Sequence, residues 1–115
     1  MNTLSSKWKI GIFALTHDYV IGHLMWTGID YLGEARWPMK ASSSGAIDTC
    51  GFPKDTYYLY QSIFTEKPML HLLPHWNRPG REGRVIPVLA YTNCEVVELN
   101  SAGVPAAPPL LMALP

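Results

Sequence analysis

The stretch Tyr19-Val-Ile-Gly-His-Leu-Met-Trp26 decides how the rest of the chain is read. Apolar residues follow one another with only His23 interrupting. A strand exposed on one face alternates polar with apolar, whereas an unbroken run suits a strand covered on both faces, as in a parallel sheet. Thr27-Gly-Ile-Asp-Tyr-Leu-Gly-Glu34 follows as a polar, glycine-bearing stretch. From Ala35 to Gly45 the chain reads as a loop, with Pro38 and the run Ser42-Ser43-Ser44-Gly45. A helix is then predicted over 53–64. Pro53 suits a first helical position, and Asp55 suits the positive end of the helix dipole. Leu59 with Ile63, and Tyr60 with Phe64, form i,i+4 pairs, and Lys67-Pro68 ends the helix. Strand, long loop and helix make one βα unit, which cannot cover its own sheet edges.

After Pro68 the period changes. Leu70, Leu72 and Trp76 fall on one face of an extended segment, and His71 and His75 on the other. Asn77-Arg-Pro-Gly-Arg-Glu-Gly-Arg84 is a charged, turn-rich connection. Val85–Thr92 reads as a second strand and Val96–Leu99 as a weaker third. Together they resemble the opening of an antiparallel, immunoglobulin-like β-sandwich, which normally takes about seven strands. The proline-bearing tail 100–115 shows neither strand nor helix period and is expected to be disordered. The expected organisation is therefore 1–18 as an N-terminal remnant, 19–67 as α/β, 68–99 as all-β, and the tail.

Composition narrows the function classes. The formal net charge is zero and 16% of residues are charged, so nothing electrostatic points to nucleic acid or an anionic membrane. A hydrophobic fraction of 48% is that of a globular chain. No run approaches the roughly 20 apolar residues of a membrane span. Lys7 and Lys9 before Ile10–Leu15 loosely suggest a secretory signal, but Trp8 lies among the charges and no small-residue cleavage site follows Thr16 and His17. Localisation stays open. Cys50 and Cys94 are far apart and form no CxxC pair, so both are expected to be buried thiols. His71 and His75 lack a third ligand, so neither a metal nor a cofactor is expected.

Several words recur in a fixed order: Tyr19-Val-Ile-Gly22, Met25-Trp-Thr-Gly-Ile-Asp-Tyr-Leu-Gly-Glu34, Gly45-Ala-Ile-Asp48, Gly51-Phe-Pro-Lys-Asp55, His75-Trp-Asn-Arg-Pro-Gly-Arg-Glu-Gly83 and Tyr91-Thr-Asn-Cys94. In this order they resemble bacterial family 2 glycoside hydrolases, the β-galactosidase-like group in particular, over roughly 16–99. The resemblance implies an eight-stranded (β/α) TIM barrel followed by an immunoglobulin-like domain. Tyr19–Trp26 would be the last barrel strand, 53–64 the last helix, and Pro68 onward the next domain, with both domains incomplete. The loop 35–44 is shorter than the family's and lacks its aromatic, glycine-rich run. After Leu99 the family's next strand, ending in an Asn-Gly turn, is missing.

The family's implied chemistry is hydrolysis of β-glycosidic bonds with retention, using two carboxylates about 5–5.5 Å apart. In the family both are glutamates that precede the last strand. Residues 1–18 contain no glutamate, and their one acid is Asp18. No catalytic residue is therefore assigned, and the chain alone is expected to be inactive. Trp26 matches the family's tryptophan at the strand's carboxyl end, where barrels of this kind place their sites. It is expected to floor a sugar subsite, with ordinary packing as the alternative. Asp30, Glu34, Asp48 and Lys54 complete the candidate substrate-binding set, although the three carboxylates also suit loop-holding roles and Lys54 a solvated one. The implied partner is a β-linked sugar, a galactoside above others. A non-catalytic carbohydrate-binding module and a purely structural remnant are the competing readings.

Overall fold

A computed structural model describes residues 2–75, 77–101, 104–105 and 110–111. The chain divides into two compact units, Met1–Leu59 and Tyr60–Pro115. The first unit opens with α1 (Asn2–Thr16), within the segment 1–18 read as an N-terminal remnant. Its last turn is closed by side chains. Thr16 Oγ1 donates to Ile12 O at 2.9 Å, and His17 Nδ1 lies 2.9 Å from Phe13 O, which the Nδ1-protonated ring serves as donor. Such bonds satisfy carbonyls that a helix end leaves without partners. The His17 ring stacks on Phe13 with centroids 4.0 Å apart.

The run 20–25 is not a strand, which corrects the reading of Tyr19–Trp26. A doubly covered parallel strand exists only when neighbours accept and donate on both sides. Among the described residues no strand lies beside this run, and Ile21 and Leu24 are fully exposed. Its pattern is that of a covered strand, but the cover is not present. Ile29 bridges Ile47 in parallel, and Ile47 bridges Pro53 in antiparallel fashion. Pro53 is thus spent on this ladder rather than on the first helical position. The helix α2 (Asp55–Phe64) begins two residues later, with Asp55 in its first turn.

Along α2 the buried residues are Thr56, Leu59 and Ser62, spaced three apart and so on one side of the helix. Tyr60 and Phe64 stack with rings nearly parallel at 6.3 Å. Thr65 N still reaches Gln61 O at 3.0 Å, and the bond from Lys67 N to Thr65 Oγ1 then turns the chain away.

In the second unit β1 (Leu70–Leu73) pairs antiparallel with β2 (Leu89–Thr92), with Leu70 opposite Thr92 and His71 opposite Tyr91. The His71 and Tyr91 rings stack across the pair at 6.4 Å. Leu73 is the buried residue of β1, whereas Leu70 and Leu72 are exposed. The expected apolar face of Leu70 and Leu72 is therefore the open one; Trp76 lies outside the described residues. The second strand is shorter than 85–92, because Pro87 lacks the N–H a ladder needs. Beyond it lie β3 (Val96–Val97), β4 (Asn100–Ser101), β5 (Val104–Pro105) and β6 (Leu110–Leu111), paired β3 with β6 and β4 with β5. The tail expected to be disordered falls largely outside the described residues, and the described part pairs in these strands. Both cysteines are exposed, not buried as expected. No helix among the described residues is long and apolar enough to cross a membrane.

Candidate functional site

All five residues singled out in the sequence fall in the first unit. The ladder positions two of them. Ile47 N donates to Gly28 O at 3.0 Å, Asp30 N to Ile47 O at 2.8 Å, and Lys54 N to Ala46 O at 2.8 Å. Asp30 and Lys54, distant in sequence, are thereby brought face to face. Lys54 Nζ lies 2.8 Å from both oxygens of Asp30 and donates a further bond to Ser43 O at 3.1 Å. The Gly45 N–H donates to Asp30 Oδ1 at 2.7 Å. The side chain of Asp30 is 11% exposed and that of Lys54 30%. An ammonium, a carboxylate and an amide so arranged form a charge-neutral latch across the base of the loop 31–44. The carboxylate is committed as an acceptor to the ammonium and the amide.

Gly45 is part of this latch for reasons of space. A Cβ there would lie 2.4 Å from Asp30 N and 2.6 Å from Ile29 C, both backbone atoms. Ala46, the next residue, is one of the few buried apolar side chains.

Trp26 and Glu34 form a second group, joined by Tyr31. The Trp26 indole Nε1 donates to Tyr31 Oη at 3.2 Å, and Tyr31 Oη donates to Glu34 Oε2. The two aromatic rings stand edge to face, 86° apart at 6.1 Å. Trp26 is 71% exposed, and its bond to Thr27 is cis. Glu34 sits in a left-handed backbone conformation, φ 46°, just after Gly33 at φ 120°. The outcome is an open indole face whose edge is fixed by a phenol, itself fixed by a carboxylate.

Asp48 belongs to neither group. Its Oδ1 accepts the N–H of Cys50 at 2.8 Å and of Phe52 at 2.9 Å, building the turn that returns the chain to Pro53. Gly51 completes that turn at φ 90°. Tyr31 and Gly45 carry site geometry that the sequence reading left without a role. Both lie within the quoted words. A glycine beside a serine run signals a close backbone approach, but nothing local says which backbone approaches. Among the described residues no three His, Cys, Asp or Glu gather as a metal site would require.

No family model matches the chain. Individual proteins do. It is 51% identical over 89 residues, 72% of the chain, to a Formosa agariphila protein described as a β-glucuronidase. It is 53% identical over 70 residues, 57% of the chain, to β-galactosidase BoGH2A of Bacteroides ovatus. A solved β-glycosidase from Bacteroides vulgatus superposes on 92% of the chain with a TM-score of 0.86 and 44% identity. The chain belongs to glycoside hydrolase family 2. It spans 9% and 8% of the length of these two family 2 relatives, and 14% of the solved chain. Because one relative is described as a glucuronidase and the other as a galactosidase, family 2 membership leaves the sugar open.

Proposed function

We propose that the chain forms one wall of the sugar pocket of a retaining β-glycosidase of β-galactosidase type, acting on terminal β-galactosides. In this reading 19–26 and α2 belong to the last βα unit of a (β/α)8 barrel. The strand pairs after Pro68 begin an immunoglobulin-like domain. The observation that carries the reading is the open indole of Trp26, braced edge-on by Tyr31 and Glu34. An indole face suits the apolar C–H face of a galactose ring, and bracing reduces the entropy lost on binding. Asp30 and Lys54 hold the loop that carries this group, and Asp48 shapes the return turn.

Retention requires a nucleophile and a general acid/base about 5–5.5 Å apart. Asp30 is taken up by Lys54, and residues 1–18 contain no glutamate, so the reading assigns catalysis to glutamates outside this chain. The 115-residue chain is therefore expected to release no nitrophenol from 4-nitrophenyl β-galactoside, measured with an inactive full-length control. Turnover that co-purifies with the chain and disappears on Trp26→Ala would overturn it. The exposure of Trp26 also favours a second reading, sugar binding without hydrolysis. Saturation transfer from the chain to methyl β-galactoside, lost in Trp26→Ala, would support that reading for the isolated chain.

A further inference from the structure

The second unit contains a hollow that the sugar-pocket reading does not use. The sequence Arg78-Pro-Gly-Arg-Glu-Gly-Arg84 folds as two turns in tandem. Arg81 N donates to Arg78 O, and Arg84 N to Arg81 O, both at 3.2 Å. Gly80 and Gly83, the third residue of each turn, have φ of 78° and 75°. Proline at the second position and glycine at the third is the pattern that a type II turn demands, since its third residue has positive φ. Repeating the turn every three residues repeats the arginine at its corners. The result is that Arg78, Arg81 and Arg84 all line one hollow of about 350 Å³, with His75 and Ile86.

Three arginines lining one hollow concentrate positive charge there, which an anion would offset. The carboxylate lining it, Glu82, points Oε1 at the Gly80 N–H at 3.0 Å. Bonds from its own N–H and that of Gly80 hold its carboxyl pKa below the usual carboxylate range. One negative charge does not offset three positive ones. Arg78 Nε is moreover buried and has no hydrogen-bond partner among the described residues. A buried donor without a partner is rare in folded chains and calls for a ligand or an ordered water. We infer that the tandem-turn hollow formed by Arg78, Arg81, Arg84 and His75 binds an oxyanion, a sulfate or carboxylate, free or carried on a charged sugar. The guanidinium fork matches both groups with paired N–H donors. The volume admits a monosaccharide bearing such a group as well as the bare ion.

Phenylglyoxal footprinting of the full chain tests this, because it reads each arginine separately by mass spectrometry. Modification of Arg78, Arg81 and Arg84 is followed in sodium sulfate, sodium glucuronate, glucose, and sodium chloride at matched ionic strength, with exposed Arg36 as the internal standard. Sulfate at about ten times its dissociation constant is expected to slow modification of the three arginines about tenfold relative to Arg36. Glucuronate protecting as well as sulfate identifies a sugar-borne group, and sulfate protecting alone identifies the free ion. Glu82→Gln keeps an acceptor for Gly80 N–H and removes the opposing charge, so protection should strengthen. Equal modification of all four arginines in sulfate and in chloride, or protection by glucose alone, would overturn the site.

Discussion

Gly45 and Lys54 hold the same carboxylate by different means, and the two are expected to differ in consequence. Gly45→Ala forces a methyl group against Asp30 N and Ile29 C. Backbone cannot rotate away as a side chain can, so the substitution should destabilise the first unit by about 2–3 kcal/mol. Lys54→Met leaves Asp30 with the Gly45 N–H but without its ammonium. Because the lysine head is partly solvated, the loss should be smaller, about 1–2 kcal/mol. Amide exchange at Asp30 and Ile47 measures both, and a lysine variant that opens the ladder more than the glycine variant would contradict this ranking. Asp30 and Lys54 were each visible in the sequence as candidates. That they face each other was not, because no period connects residues on opposite sides of a long loop. The bond through Tyr31 that joins Trp26 to Glu34 was hidden for the same reason. Local pattern reports which face a residue takes and not what it meets there.

The helix α2 was legible because its pairs at i,i+4 and its stop at Lys67-Pro68 are local features. Its start was misplaced by two residues because Pro53 is claimed by Ile47, a contact from outside the helix. The run 20–25 shows the converse. Its composition describes a covered strand, yet strand formation depends on partners, and composition does not supply them. Two expected outcomes concern the second unit. Asn93 ties the end of β2 to the chain before β1, donating from Nδ2 to Thr65 O at 2.9 Å and Lys67 O at 2.8 Å and accepting from Met69 N at 3.0 Å. Asn93→Ala should weaken β1 and β2 by about 2–3 kcal/mol, read as faster amide exchange in both strands. Asn93→Asp, which retains only the acceptor, should rescue little. Burial raises the pKa of the Tyr60 phenol above its ordinary value. An acid raised on folding contributes stability that is complete below its unfolded pKa of about 10 and is lost as pH climbs through the folded value. Protection of the second unit should therefore decline above pH ~10, and Tyr60→Phe should flatten that decline.

Among the described residues, apolar surface is poorly covered. Leu59 is the one large side chain among the described residues that is less than 2% exposed, while Ile21, Leu24, Trp37 and Val85 are each more than nine-tenths exposed. Surfaces of this kind associate in water. Purified chain is expected to sediment as a mixture of oligomers and to show no sharp thermal transition, whereas a monomer with a reversible two-state melt would contradict this. The chain's β-glycosidase kinship was readable from ordered words alone, since five of the six combine a glycine or proline with the residues around it. The short pairings β3 with β6 and β4 with β5 were not, because strands of two residues carry no period. The exposed thiols have a practical consequence of their own. Cys50 lies in the first unit and Cys94 in the second, and both are open to oxidation when unmodified protein is stored in air. Kept reduced, it offers one native attachment point per unit, and a fluorophore on either reads that half without any engineered residue.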